Sequence, residues 1–188
     1  MTESAATRRP RADAQRNLAA LLDAAKAVFA TSGVDAPAKE ITDQAGVGVG
    51  TLYRHFPQRS DLVLAVLKTE IDACADAAVA LGAANPPGVA LAQWIQRYTE
   101  LVATKVGLAS ALQSADAAHQ ALRVHLHQRM EPVVGALLAA ARAAGQIRAD
   151  VTAADLLYAV ALLCHPVPGE DPGYSQHLVG IFVDGLRP

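Results

Sequence analysis

The chain has 188 residues, 52% of them hydrophobic but only 4% aromatic, with a formal charge of −2. That is enough length for a sizeable buried core, and the near-neutral balance excludes a broadly basic coat for nucleic acid. Residues 1–17 lack the apolar stretch of a secretory leader and no run approaches the roughly 18 apolar residues of a membrane span, so a soluble cytoplasmic protein is expected.

Alanine and leucine, both strong helix formers, supply much of the apolar content, and strand-like alternation is nearly absent. The expected fold class is therefore all-α. Charge is unevenly spread. Residues 1–60 carry eight Lys/Arg against six Asp/Glu, whereas residues 61–188 carry eight against twelve. A slightly basic front half is compatible with DNA contact, although that asymmetry alone is weak evidence.

Residues 1–11, with Arg8, Arg9 and Arg11, read as a flexible basic segment. A first helix is expected from Asp13 to Ala30, with Leu18, Leu22, Ala25 and Phe29 as its buried stripe and Gly33 as its stop. A short helix from Pro37 or Ala38 presents Ile41 and Ala45. The turn Ala45-Gly46-Val47-Gly48 follows, then a third helix to Phe56. After Pro57 a fourth helix carries Leu62, Val66 and Ile71 towards Ala80. Further helices are expected near 88–104, 116–144 with a potential break at Pro132, and 152–164, and a last one from Tyr174 to Leu186. The functional boundary falls near residue 60: a DNA-binding head over 12–60 and a helical body over 61–188, bridged by one continuous helix.

A short helix held at a fixed angle by a preceding helix and tight turn is what a major groove about 12 Å wide accepts. With Ile41, Ala45, Val47, Leu52 and Phe56 turned inward, Val49, Gly50, Thr51, Tyr53, Arg54 and His55 remain for the exposed face. The run Gly46-Val47-Gly48-Val49-Gly50-Thr51-Leu52-Tyr53-Arg54-His55-Phe56, followed by Arg59 and Leu62, resembles the recognition-helix signature of TetR-type regulators. Upstream, Phe29, Gly33, Ile41 and Ala45 match as well, so the resemblance covers about residues 16–67. It departs at Gly48, often Ser or Thr in the family, at Thr42, usually Ala, and at Arg59, more often Lys.

The resemblance implies a DNA-binding regulator that is not an enzyme: most readily a repressor released from a palindromic operator by a small organic effector, with activation as an alternative. A helical ligand-binding or scaffold protein without specific DNA binding is the competing reading. In the implied map, Thr51 and Val49 meet base edges, Tyr53 and His55 meet phosphates, and Arg54 reaches either. Arg59 adds a phosphate contact. Arg8, Arg9, Arg11 and Arg16 either follow the DNA backbone or remain solvated, and Lys39 is expected in solvent.

The body would bind the effector and form a homodimer. The candidate pocket wall is Trp94, Tyr98, Leu101, Leu108, Leu112, Leu126, Met130 and Leu137, each of which serves equally as core. Stripes at Leu156, Leu157, Val160 and Leu163, and at Leu178, Ile181, Phe182 and Leu186, are the candidate dimer interface. No metal site or cofactor is expected, because His125 and His127 point about 200° apart on a helix and no recognised zinc spacing occurs. Cys74 and Cys164 read as reduced, partly buried thiols. No phosphate loop, nucleophile elbow or paired-histidine metalloprotease motif is present.

Overall fold

The computed structural model describes residues 8–109, 116–165, 167–171 and 173–188. They form helices α1 (Arg8–Ser32), α2 (Ala38–Ala45), α3 (Val49–His55) and α4 (Arg59–Ala84), then α5 (Pro87–Ala109), α6 (Asp116–Ala143), α7 (Ala153–Leu163) and α8 (Gly173–Asp184). The fold is all-α, as its composition requires. Two compact units divide the described residues, one up to Leu67 and one from Lys68 onward, with the division falling inside α4. None of the described helices is long and apolar enough to cross a membrane.

In the first unit, α1 starts at Arg8, earlier than its apolar pattern suggests. Its buried stripe is also corrected. Leu21, Ala24, Ala25, Val28 and Phe29 are buried, whereas Leu18 and Leu22 are half-buried. The face has rotated so that Leu21 and Val28 occupy its centre, two turns apart. Gly33 follows the helix at φ 78°, a left-handed conformation that costs glycine least.

Helix α2 closes on Gly46 at φ 67°, where Gly46 N–H donates to Asp43 O at 3.3 Å and Val47 N–H to Thr42 O at 3.1 Å. This paired closure satisfies carbonyls that the helix end would leave orphaned. Thr42 is buried, and its hydroxyl donates to Lys39 O at 3.1 Å, so the threonine brings no unsatisfied group into the core. Gly48 is the N-cap of α3, with its carbonyl accepting from Thr51 N–H at 2.8 Å.

In the second unit, Trp94 and Tyr98 of α5 stack with ring centroids 5.5 Å apart and planes 8° from parallel. Trp94 Nε1 donates to Cys74 O at 3.0 Å, which meets the one polar demand of a fully buried indole. Asp72 and Asp76 of α4 face α6. Arg129 Nε donates to Asp72 at 2.6 Å, a second guanidinium nitrogen reaches Asp76 at 2.7 Å, and His125 Nε2 lies 3.1 Å from Asp72. Helix α6 runs unbroken through Pro132, so the break considered there does not occur. Pro132 and its neighbour Glu131 are exposed, leaving the interrupted backbone bond at a solvated position.

Helix α7 opens with a capping box: the Thr152 hydroxyl accepts from Asp155 N–H at 3.1 Å, and the Asp155 carboxylate accepts from Thr152 N–H at 2.9 Å. Beyond α8, Arg148 N–H donates to Leu186 O at 2.8 Å, tying the α6–α7 connection to the chain's last residues.

Candidate nucleic-acid interface

Helix α3 is held from one side only. Leu52 and Phe56 are buried, one helical turn apart, against a core that includes Ile41. At about 100° per residue, Gly50 and Arg54 stand on the face opposite Leu52. Val49 and Tyr53 flank that face on one side, Thr51 and His55 on the other. The burial follows this geometry: Val49, Gly50, Tyr53, Arg54 and His55 are exposed and Thr51 is half-buried. Tyr53, at 53% exposure, presents its ring and hydroxyl to solvent.

Gly50 sits in the body of a seven-residue helix, where glycine weakens the fold. A methyl group there would meet no heavy atom of this chain within 4 Å. Internal packing therefore gives no reason for the missing side chain.

Arg59, expected to contact a phosphate, is engaged within the head in the DNA-free chain. Its Nε donates to Val34 O and a terminal guanidinium nitrogen donates to Ala36 O. The guanidinium carbon stands 5.4 Å from the centroid of the Phe29 ring. Arg59 thus fastens the α1–α2 connection to the start of α4. Lysine, a point charge without a planar fork, does not reproduce this. Ser32 adds another fastening, donating to Glu40 Oε1 at 2.7 Å. Lys39 pairs with Asp43 at 2.6 Å in solvent, and exposed Arg16 pairs with Asp13.

The predicted pocket wall in the second unit is largely buried among the described residues. Trp94 and Met130 are fully buried, and Leu101 and Leu137 are buried without lining any cavity described below. Leu112 lies outside the described residues, as does the side chain of Leu108. Tyr98 and Leu126 line a cavity of about 140 Å³ shared with Val102, Arg123, His127, Leu157, Tyr158 and Ala161. Sequence periodicity missed two larger cavities, about 550 and 340 Å³, along α5 and α8. They share Ala92, Gln96, Val183 and Arg187, residues spread across the chain with no common local signal.

Most of the predicted dimer stripe on α7 is buried within the single chain. Leu156, Leu157 and Val160 are buried within the protomer and Leu163 is half-buried. The large apolar residues α7 exposes are Tyr158 and Leu162, the latter at 67%. On α8, Ile181 is 58% exposed, Leu178 and Phe182 are half-buried, and Val179 is buried. Leu186, just past α8, is buried too. Both cysteines are free and buried, and burial pushes the Cys74 thiol up to about 12.

Comparison with known proteins agrees with this architecture. Residues 21–66 match the family model described as bacterial regulatory proteins, tetR family. Residues 86–188 match the model described as transcriptional regulator SbtR-like, C-terminal domain. A TetR transcription regulatory protein from Mycobacterium vanbaalenii is 36% identical, over 95% of this chain and 99% of its own, with a TM-score of 0.75. A TetR transcriptional regulator from Streptomyces coelicolor is 34% identical, over 90% of this chain and 97% of its own, with a TM-score of 0.72. A helix-turn-helix-type transcriptional regulator of Staphylococcus aureus is 36% identical over 63 residues, a match spanning 33% of this chain and 34% of that relative. With a family model matching more than half its length and a relative this similar over nearly all of it, the chain belongs to the TetR family of bacterial transcriptional regulators.

Proposed function

We propose that this chain is a sequence-specific DNA-binding repressor that reads an inverted-repeat operator as a homodimer and is released by a small organic effector. The observation that carries the reading is the outer face of α3. There Val49, Gly50, Tyr53, Arg54 and His55 are exposed on a helix anchored by Leu52 and Phe56. Among the described residues, no carboxylate pairs with Arg54. Thr51 and Val49 meet base edges, the first through a hydroxyl or methyl and the second through apolar contact with a thymine methyl. Tyr53 and His55 hold the phosphates, and Arg54 serves either role. Arg59 supports the head from within through Val34 O and Ala36 O.

A single reading helix contacts few base pairs, and twofold duplication supplies the second half-site one or more helical turns away, about 34–36 Å per turn. Leu162 and Ile181, both exposed and apolar, support closure of the dimer through α7 and α8, with Leu163, Leu178 and Phe182 beside them. Effector sensing belongs to the cavity that Tyr98 and Leu126 line.

In vitro selection of bound duplexes from a random pool tests the whole reading. Recovery of an inverted repeat with defined spacing is expected, and a pool that stays random through successive rounds overturns it. For any effector, affinity for the DNA-free protein must exceed affinity for the operator complex by the factor with which the effector weakens DNA binding. Equal affinities by calorimetry rule that molecule out as an inducer.

A further inference from the structure

The small cavity in the second unit has a two-part lining that says what kind of molecule it takes. Its inner wall is apolar: the Tyr98 ring, Val102, Leu126, Leu157 and Ala161. The Tyr98 hydroxyl is turned away to donate to Leu157 O at 3.4 Å, so the phenol offers the cavity mainly its ring. The volume, about 140 Å³, is near the roughly 150 Å³ of an apolar cavity that holds one benzene. One six-membered ring fits this space.

The remaining three lining residues, Arg123, His127 and Tyr158, are polar or aromatic and more accessible. His127 and Tyr158 place their rings 5.6 Å apart, and His127 Nδ1 lies 3.3 Å from Glu131, which orients the imidazole. Arg123 is exposed, and its guanidinium donates to the neutral amide oxygen of Gln120. No carboxylate pairs with it among the described residues. Elsewhere in this unit Arg129 pairs with two aspartates, Arg148 with Asp150 and Arg187 with Asp184 at 3.1 Å, while Arg142 donates to Val151 O. Arg123 stands beside a ring-sized apolar hole with a neutral amide as its partner. In the larger α5–α8 cavities, by contrast, the lining arginine is Arg187, already neutralised by Asp184.

We propose that this cavity binds a small monocyclic carboxylate, with the ring against Tyr98, Leu126 and Ala161 and the carboxylate held by Arg123. The forked guanidinium suits two-oxygen acceptors. Tyr158 covers the ring edge. The inference deepens the effector-sensing reading above and rests on it for its regulatory meaning, but the binding chemistry stands on the cavity alone.

Calorimetric titration of the full chain with benzoate and with benzyl alcohol, its neutral counterpart, tests the assignment. Wild type binds benzoate more tightly, on the order of tenfold for one charge-assisted contact. Arg123→Gln removes that preference while leaving the affinity for benzyl alcohol unchanged, and because Arg123 is exposed its replacement spares the fold. Ala161→Phe fills the space and abolishes binding of both, with circular dichroism confirming helicity. Equal binding of the two probes by wild type overturns the proposal, as does no binding of either or a benzoate preference that survives Arg123→Gln. Fluorescence anisotropy on the selected operator separates this from the regulatory reading. A protein that prefers benzoate but binds no duplex keeps the site and loses the regulator. Operator binding without any benzoate preference does the reverse.

Discussion

The guanidinium of Arg59 lies over the ring of Phe29, 5.4 Å from its centroid, while donating to the carbonyls of Val34 and Ala36. One side chain at the start of α4 thereby satisfies two backbone acceptors in the α1–α2 connection and covers an aromatic face. A cation in that position is a structural clasp of the head.

Arg59→Gln is accordingly expected to destabilise the protein by about 1–3 kcal/mol, the range for losing charge-assisted hydrogen bonds to partly buried acceptors. Urea unfolding monitored by circular dichroism measures it. The slope of log K for DNA against log salt should stay as in wild type. Loss of a true phosphate contact would reduce that slope by about 0.9, and such a reduction with unchanged stability would return Arg59 to the DNA surface.

Gly50→Ala separates folding from binding. The added methyl meets nothing in the chain, so stability should rise by about 0.5–1 kcal/mol through helix propensity. DNA affinity should fall, because the outer face of α3 no longer permits the same approach. Thermal unfolding and operator titration on one preparation check both. Higher stability with unchanged affinity would show that Gly50 does not face the duplex.

Thr51 and Tyr53 should divide by role. Thr51→Ala is expected to relax discrimination at one or two base pairs, a loss of about 1–3 kcal/mol against the preferred base if the contact is bidentate or equivalent. Tyr53→Phe removes a hydroxyl from a ring 53% exposed and should weaken specific and non-specific duplexes alike. Competition binding across single-base operator variants distinguishes the two patterns, and unchanged profiles for both folded mutants would reverse the assigned orientation of α3.

The apolar faces of α7 and α8 predict opposite outcomes for neighbouring substitutions. Ile181→Glu places a charge on an exposed position and should convert dimers to monomers with helicity intact. Val160→Glu buries an unpaired charge in the protomer core and should unfold it. Phe182→Glu falls between, since Phe182 is half-buried. Sedimentation equilibrium beside circular dichroism reads both effects, and a wild-type chain that sediments as a monomer would remove the dimer from the scheme.

Burial of Cys74 sets an alkaline limit on stability. Its thiol is pushed from an ordinary 9.0 to about 12, chiefly by desolvation. The unfolded chain therefore ionises this group first, and stability present below pH 9 is lost as pH climbs towards 12. Tyr98, raised for the same reason, adds to the decline from about its ordinary value of 10.0 upward. Denaturant midpoints at pH 8 and pH 10.5 should differ less in Cys74→Ala than in wild type. An identical difference would show that the thiol does not contribute.

What the amino-acid sequence determined by itself was the local grammar of the reading head. Gly33 and Gly46 take left-handed turns, Leu52 and Phe56 share one side of α3, and Ile41 faces the core. Each of these depends on residues within a few positions, where spacing alone sets direction. Tertiary structure decided the rest. The fate of Arg59 rests on carbonyls 25 and 23 positions earlier, beyond the reach of any local pattern. Helix α7, Ala153–Leu163, is apolar nearly all round, so periodicity finds no polar face to mark the outside, and only packing shows that Val160 is buried and Leu162 exposed. The same holds for the pocket. Trp94 and Tyr98 on α5, like Leu126 and Met130 on α6, have a helical spacing suited equally to a wall and to a core, and packing buries Trp94 and Met130 fully while leaving a ring-sized gap beside Tyr98.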